Sequence, residues 1–359
     1  MTPRDLVSVA LTTPDAAVSW ALPEWDLLIR QARRANLLPR LAVVLEDHGL
    51  LGQVPPQALA HLQAAALVPL RQDKAVRWET QQILAAIAAT GTKLILLKGA
   101  AYVMAGLTPA RGRVFADLDI LVPRAGLPEV EAALMKHGWM TTHHNAYDQR
   151  YYRRWMHELP PMRHVTRQSV IDVHHAILPQ TARLKPDPEK LLAAAIAVAG
   201  VSNLYVLAPE DMVLHSATHL FHDGELENGL RDLTDLDALL REFSGRPGFW
   251  LRLPKRAVEL DLMRPLFYAL RYTSRILGTP VPANANRMSE AGKPPRLLLQ
   301  LMDAIFLRAL RPDHPSVADT WTPVARNLLY LRSHWLRMPP LLLAWHLTVK
   351  ALRRKEEAA

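Results

Sequence analysis

The sequence contains no cysteine. That excludes disulfides, thiolate zinc sites and a cysteine nucleophile. It also lacks an unbroken apolar run long enough to span a bilayer. The most apolar window, 191–208, is interrupted by Gly200, Ser202 and Asn203, preceded by Asp187-Pro188-Glu189 and followed by Pro209. A helix and then a strand fits that window better than a membrane span. The opening Met1-Thr2-Pro3-Arg4-Asp5 has none of the basic and then apolar blocks of a secretory signal, so a cytoplasmic chain is expected. No internal repeat is visible.

What is present points to a helix-rich chain with an anionic partner. At 359 residues there is length for two or three domains, each with its own core. Half of the residues are apolar, and 28 prolines suit many short, punctuated helices. Lys plus Arg number 43 against 34 Asp plus Glu, a formal charge of +9. Such an excess favours a nucleotide, a nucleic acid or a lipid headgroup without choosing among them.

Along the chain the texture changes twice. From Trp20 to about Ala89 apolar residues recur at helical steps, first through Trp25, Leu28, Ile29, Ala32 and Ala35, then from Ala58 to Leu67 and from Ala75 to Ala89. Leu94-Ile95-Leu96-Leu97 then reads as a buried strand, and Lys98-Gly99-Ala100-Ala101 opens a helix to Met104. Asp117-Leu118-Asp119-Ile120-Leu121-Val122 alternates acid with apolar before Pro123, as a half-buried strand does. Pro128 to Lys136 reads as a helix with Gly138 beyond its end, and Ser169 to His174 as a further strand. After Pro209 helices are expected over Glu210–Phe221, Leu226–Phe243 and about Lys255–Leu277, with a break at 244–248 and a linker over 279–295. The resulting expectation is an α+β chain with a small mixed sheet. Its regions are 1–90 helical, 91–180 the α/β core, 181–278 helices closing a cleft, and 279–359 a linker with basic C-terminal helices.

The chemistry concentrates in the core. Alternate strand side chains share a face, so Asp117 and Asp119 stand on one side, about 7 Å apart along the backbone. Two carboxylates there repel, and a fold keeps them only where a cation or a strong donor neutralises the pair. Magnesium suits hard oxygen donors and completes its octahedron with phosphate and water. On this reasoning Asp119→Asn should relieve repulsion and stabilise the metal-free protein. Asp172, with His174 on the same face of its strand, adds a third acid. Lys98-Gly99 after a strand fits a phosphate turn, where a glycine lets the anion approach closely. Arg113, just ahead of the acidic strand, is placed to reach a triphosphate or to pair with Asp117. Read singly, an Asp-Leu-Asp strand end or a Lys-Gly turn fits an ordinary structural role as well.

Taken together, Leu96-Leu97-Lys98-Gly99-Ala100-Ala101, Arg113, Asp117-Leu118-Asp119-Ile120-Leu121-Val122 and Ile171-Asp172-Val173-His174 resemble the polymerase-β-like nucleotidyltransferases, and within them a bacterial branch of uncharacterised nucleotidyltransferases. His215, His219 and Asp235 lie in a stretch resembling that branch's helical region. The resemblance covers roughly residues 20–245. It implies an α/β nucleotidyltransferase core, two Mg2+ ions, and transfer of a nucleoside monophosphate from a nucleoside triphosphate such as ATP, with release of pyrophosphate. It assigns Asp117, Asp119 and Asp172 as catalytic and metal-binding residues, and Lys98, Gly99, Ala100 and Arg113 as nucleotide-binding ones. The superfamily's turn usually reads Gly-Ser or Gly-Gly, whereas Ala100 offers no hydroxyl. The acceptor, whether a protein, a small molecule or RNA, is not legible. The rival readings are a non-catalytic nucleotide-binding module and a nucleic-acid binder on the same scaffold.

Other histidines invite a zinc reading: His143-His144, His174-His175, and His215, His219 and His222. His215 and His219 are one helical turn apart, but Ser216 stands where H-E-x-x-H needs Glu, so a polar-pocket role is expected. Tyr151-Tyr152-Arg153-Arg154-Trp155 is expected to line the acceptor cleft or an exposed loop. Residues 335–345 and the basic Arg353-Arg354-Lys355 fit a helix packed on the body better than a peripheral membrane contact, which stays open.

Overall fold

A computed structural model describes residues 5–142, 145–222, 224, 226–339 and 343. Its centre is a seven-stranded mixed sheet: β1 Leu94–Leu96, β2 Asp117–Leu121, β3 Trp139–Thr141, β4 Met162–His164, β5 Val170–His174, β6 Ile196–Ala197 and β7 Leu204–Val206. The strands lie in the order β3-β4-β5-β2-β1-β7-β6. β2 runs antiparallel to β1 and parallel to β5, and β1 runs parallel to β7. Helices flank this sheet on both sides of the sequence, so the protein has an α+β core of the expected kind. Strands β6 and β7 lie in the window 191–208, read as a helix and then a strand, so the sheet reaches past residue 180 into the region otherwise expected to be helical.

The strand chemistry explains the burial. Leu94, Ile95, Leu96, Ile120, Leu121, Ile171 and Val173 are essentially inaccessible, and apolar β-branched or leucyl side chains fit a pleated sheet covered by helices. Leu118 and Ile120 point into the core opposite Asp117 and Asp119, as alternation requires.

Several helical expectations change in detail. The two runs over 58–89 form one helix, Pro56–Ile87. Its buried stripe runs through Ala58, Leu62, Pro69 and Val76 and then Glu79, Thr80, Ile83, Ala86 and Ile87, so it is sparse in the first half and follows three- and four-residue steps in the second. The single helix expected over 255–277 is two, Phe249–Glu259 and Met263–Leu277. Asp261 breaks it with φ 57°, a left-handed conformation that aspartate tolerates. The proline-rich linker expected over 279–295 instead contains a helix, Ala283–Ser289, and a 3-10 turn, Glu290–Gly292. A side chain at Gly292 would collide with the Met263 carbonyl, so this segment is tightly packed. Tyr151 to Trp155 lie in the helix Ala146–Trp155, not in a loop, and Arg153 pairs with Glu131 at 2.6 Å.

Among the described residues no helix is long and apolar enough to cross a membrane. His143-His144 and most of the proposed membrane-contacting segment, 340–342 and 344–359, lie outside the described residues.

Candidate active site

Parallel pairing of β2 with β5 places Asp119 directly beside Asp172, with Asp117 beside Val170 and Leu121 beside His174. Residues in register on adjacent strands share a sheet face. The carboxylates of Asp117, Asp119 and Asp172 therefore converge, with one oxygen from each lying within 4.8 Å of the others. Asp119 is 4% exposed, whereas Asp117 and Asp172 are half-buried at the lip.

The three acids are not electrostatically alike. Lys98 Nζ and His174 Nε2 both donate to Asp119 Oδ1, at 2.9 Å and 3.0 Å. Burial alone would raise the Asp119 carboxyl, but the Lys98 ammonium and the His174 hydrogen bond outweigh it and hold it well below the usual range. Asp172 is helped only by the nearby His174, which does not outweigh the opposing effects. Its Oδ1 is buried without a hydrogen-bond partner. Burial, then the charges of Asp119 and Glu158, push its carboxyl up to about 7. Repulsion within the Asp117–Asp119 pair, expected from the sequence, is not what marks Asp119, which Lys98 and His174 hold low; the like-charge effect falls on Asp172, chiefly from Asp119 across the strand pair.

His174 also directs Nδ1 to Glu158 Oε2 at 3.2 Å. Burial disfavours its charge, yet Asp119 and Glu158 together raise it above the ordinary histidine value. With Nε2 hydrogen-bonded to Asp119 and Nδ1 within ion-pair distance of Glu158, the surroundings of the ring favour its charged form. His157, whose ring centroid is 5.3 Å from that of His174, is driven the other way, by burial and then by the His174 charge.

Lys98 sits in the turn from β1 into the short helix Lys98–Met104 with φ 45°, a conformation rare for residues with a side chain. The turn is tied to β2 by the Leu97 N–H to Asp119 carbonyl bond of 2.9 Å. That tie brings the ammonium onto Asp119.

Gly99 and Ala100 are buried behind the turn. Gly99 is required by close approach: a side chain there would meet the Arg113 guanidinium and the Phe115 ring. Gly99→Ala is therefore expected to cost about 1–3 kcal/mol by overpacking, read as a lower thermal midpoint than wild type. An unchanged midpoint would mean that Arg113 and Phe115 move aside freely.

Arg113 does not pair with Asp117. It is 6% exposed and donates through Nε to Asp235 Oδ2 at 2.5 Å, while Arg40 Nη2 reaches Asp235 Oδ1 at 2.9 Å and the Pro109 carbonyl at 2.6 Å. Asp235 thus joins the N-terminal helices, the core and the helix Gly229–Ser244. Arg113 braces Gly99 from behind, because its guanidinium is committed to the buried Asp235.

The helix Pro209–His222 closes another side. Burial, then the Lys98 charge, drives His215 down to about 3 and His219 well below its usual value, so both are neutral beside the acids. His219 lines a cavity of about 560 Å³ together with Arg231, Asp232, Arg326 and Tyr330. Two neighbours escape sequence reasoning, His157 and Glu158. Their proximity depends on the β-bridge between Glu158 and His174, and no local spacing announces it.

A cluster of three carboxylates with one orphaned buried oxygen is a hard-oxygen donor set, and it fits magnesium. Residues 22–278 match the family described as uncharacterised nucleotidyltransferase. Nothing matches the chain among the curated proteins or among the solved structures.

Proposed function

The chain belongs to the uncharacterised nucleotidyltransferase family, and on that premise we propose that it transfers a nucleoside monophosphate from a nucleoside triphosphate to an acceptor hydroxyl, with Asp117, Asp119 and Asp172 at the centre. The observation that carries the reading is the convergence of these three carboxylates across the parallel β2–β5 pair. They would hold two magnesium ions, which supply positive charge at the α-phosphate and along the triphosphate.

The residues divide the remaining work. Asp172, whose carboxyl is raised to about 7, is matched to accepting a proton from the acceptor hydroxyl near neutral pH. The acceptor oxygen forms a bond to the α-phosphorus, the bond to the β-phosphate oxygen breaks in line, and pyrophosphate leaves. Lys98 would turn from Asp119 to the triphosphate, while Gly99 and Ala100 hold the turn. The helices of 181–278 would close the cleft, with His215 and His219 as neutral polar walls that leave the site's charge to Lys98 and the acids. ATP and a cytoplasmic setting are consistent with this chemistry.

Thermal melts and calorimetry with magnesium and nucleoside triphosphates, followed by transfer of label from an α-labelled triphosphate to cellular acceptors, test the reading. A melt unmoved by the metal–nucleotide pair, or label transfer without need of magnesium, would argue for a binding module instead.

Lys98 gives a sharper split. In the free protein its ammonium competes with any cation for Asp119. Lys98→Ala should bind magnesium alone more tightly than wild type and bind the magnesium–nucleotide complex at least tenfold more weakly. Calorimetry reads both. Parallel losses in the two titrations would count against a triphosphate role for Lys98.

A further inference from the structure

Behind the carboxylate cluster lies a second group of ligand-type side chains. His157, Glu158 and His174 each offer one donor atom, and these atoms all lie within 4.8 Å of one another. Backbone pairing fixes them: Glu158 bridges His174, Leu159 N–H donates to the Val173 carbonyl at 2.9 Å, and His175 N–H donates to the His157 carbonyl at 2.8 Å. The His157 and His174 rings lie 5.3 Å apart with only 31° between their planes. His157 Nδ1 is buried with no hydrogen-bond partner among the described residues. A buried imidazole nitrogen left without a partner costs free energy, and something must supply what the protein does not.

The two nitrogens of His174 have separate tasks. Nε2 faces Asp119 at 3.0 Å, and Nδ1 faces Glu158 at 3.2 Å. A histidine that ligates a metal through one nitrogen characteristically donates its other N–H to a carboxylate, which fixes the ring. Asp119 already stands in that position. Two imidazoles and one carboxylate form a donor set suited to zinc-class ions and poorly suited to magnesium.

We infer that His157, Glu158 and His174 Nδ1 form a second metal site, for a divalent transition-metal ion of the zinc class, distinct from the carboxylate cluster and joined to it through His174 and Asp119. On binding, the Nδ1 proton of His174 leaves to solvent, the His157 lone pair gains a partner, and the Nε2–H stays on Asp119. The ion would thus hold the Asp119 carboxylate in place from behind. This site stands on its own geometry, whether or not the carboxylate cluster transfers nucleotides.

The test uses full-length protein stripped with chelator and titrated with Co2+ in the presence of excess magnesium. Wild type should bind one Co2+ per chain, with the strong visible absorption of a low-coordinate, nitrogen-ligated ion. His157→Phe, which keeps a ring but removes the donor, should weaken that binding at least a hundredfold, and Asp172→Asn should retain it. Should His157→Phe fail to fold by circular dichroism, Glu158→Ala decides, and the same loss is expected. Absence of tight Co2+ binding to wild type overturns the inference. So does binding that survives in the His157 or Glu158 variant, or that is lost in Asp172→Asn, which would put the ion in the carboxylate cluster. Nucleotide and magnesium binding are read separately, so failure of the transferase reading leaves this result untouched.

Discussion

Asp119→Asn is expected to melt well below wild type in metal-free buffer and to gain nothing from magnesium and nucleotide. The amide keeps the shape but withdraws the charge that holds the Lys98 ammonium and the His174 imidazolium, and His174 is almost fully buried. Breaking a buried ion pair on one side typically costs about 3–5 kcal/mol, because the surviving charge is left uncompensated. The pH dependence has a definite sign. Asp119 is held below its unfolded value of 3.8, so its contribution is present above that pH and is lost only as the solution becomes strongly acid. His174 is raised above 6.5, so its contribution is complete below that value and fades as pH rises through its folded one. The gap between mutant and wild type is therefore widest from about pH 4 to pH 6.5 and narrows on either side. Label transfer should fall below detection. A mutant that melts higher than wild type in that window would overturn the assignment of Lys98 and His174 as its partners.

Asp172→Asn changes stability in the opposite direction. Its carboxyl is raised to about 7, chiefly by burial and then by Asp119, so the folded protein keeps a proton there that the unfolded chain releases near 3.8. Wild type consequently loses stability as pH rises from about 4 to 7, and the asparagine variant, which cannot ionise, does not. The difference saturates above pH 7 at a few kcal/mol, since each tenfold change in proton affinity corresponds to about 1.36 kcal/mol. At pH 8 without metal the variant should melt several degrees higher than wild type, and at pH 4 the two should coincide. Magnesium with nucleotide should raise the wild-type midpoint at pH 8 and leave the variant largely unmoved. Turnover should fall by roughly 10²–10⁴, the usual contribution of a general base. Two carboxylates in register on neighbouring strands thus answer the same substitution with opposite signs. Equal destabilisation by both substitutions would mean that Asp172 is a structural residue.

The part of the site that follows strand alternation was legible in the sequence. Asp117 and Asp119 declare a shared face by spacing, and Leu118 and Ile120 declare the other; the same rule relates Asp172 to His174. Alternation carries no information about pairing between segments. It could not tell that Lys98 and His174 both serve Asp119, nor that Arg113 turns inward to Asp235, more than a hundred residues away. His157 and Glu158 stayed hidden for the same reason. Among the helices, the merged pair over 56–87 is only sparsely buried between Leu62 and Val76, where the sequence reads as two separate runs, and the proline-rich stretch before 295 folded because Gly292 admits the backbone at Met263. Composition suggested a linker there, and close packing decided otherwise.

The junction at Asp235 has a consequence for how the chain is made. Arg40 emerges from the ribosome 195 residues before the carboxylate it requires, and Arg113 emerges 122 before. At ordinary elongation rates of about 5–20 residues per second, Arg40 waits roughly 10–40 s for its partner. Neither guanidinium can be enclosed until then without a heavy desolvation cost. The N-terminal helices and the glycine turn must therefore remain incompletely closed during synthesis. They lock together, with the acidic strand behind them, only once the helix Gly229–Ser244 is delivered.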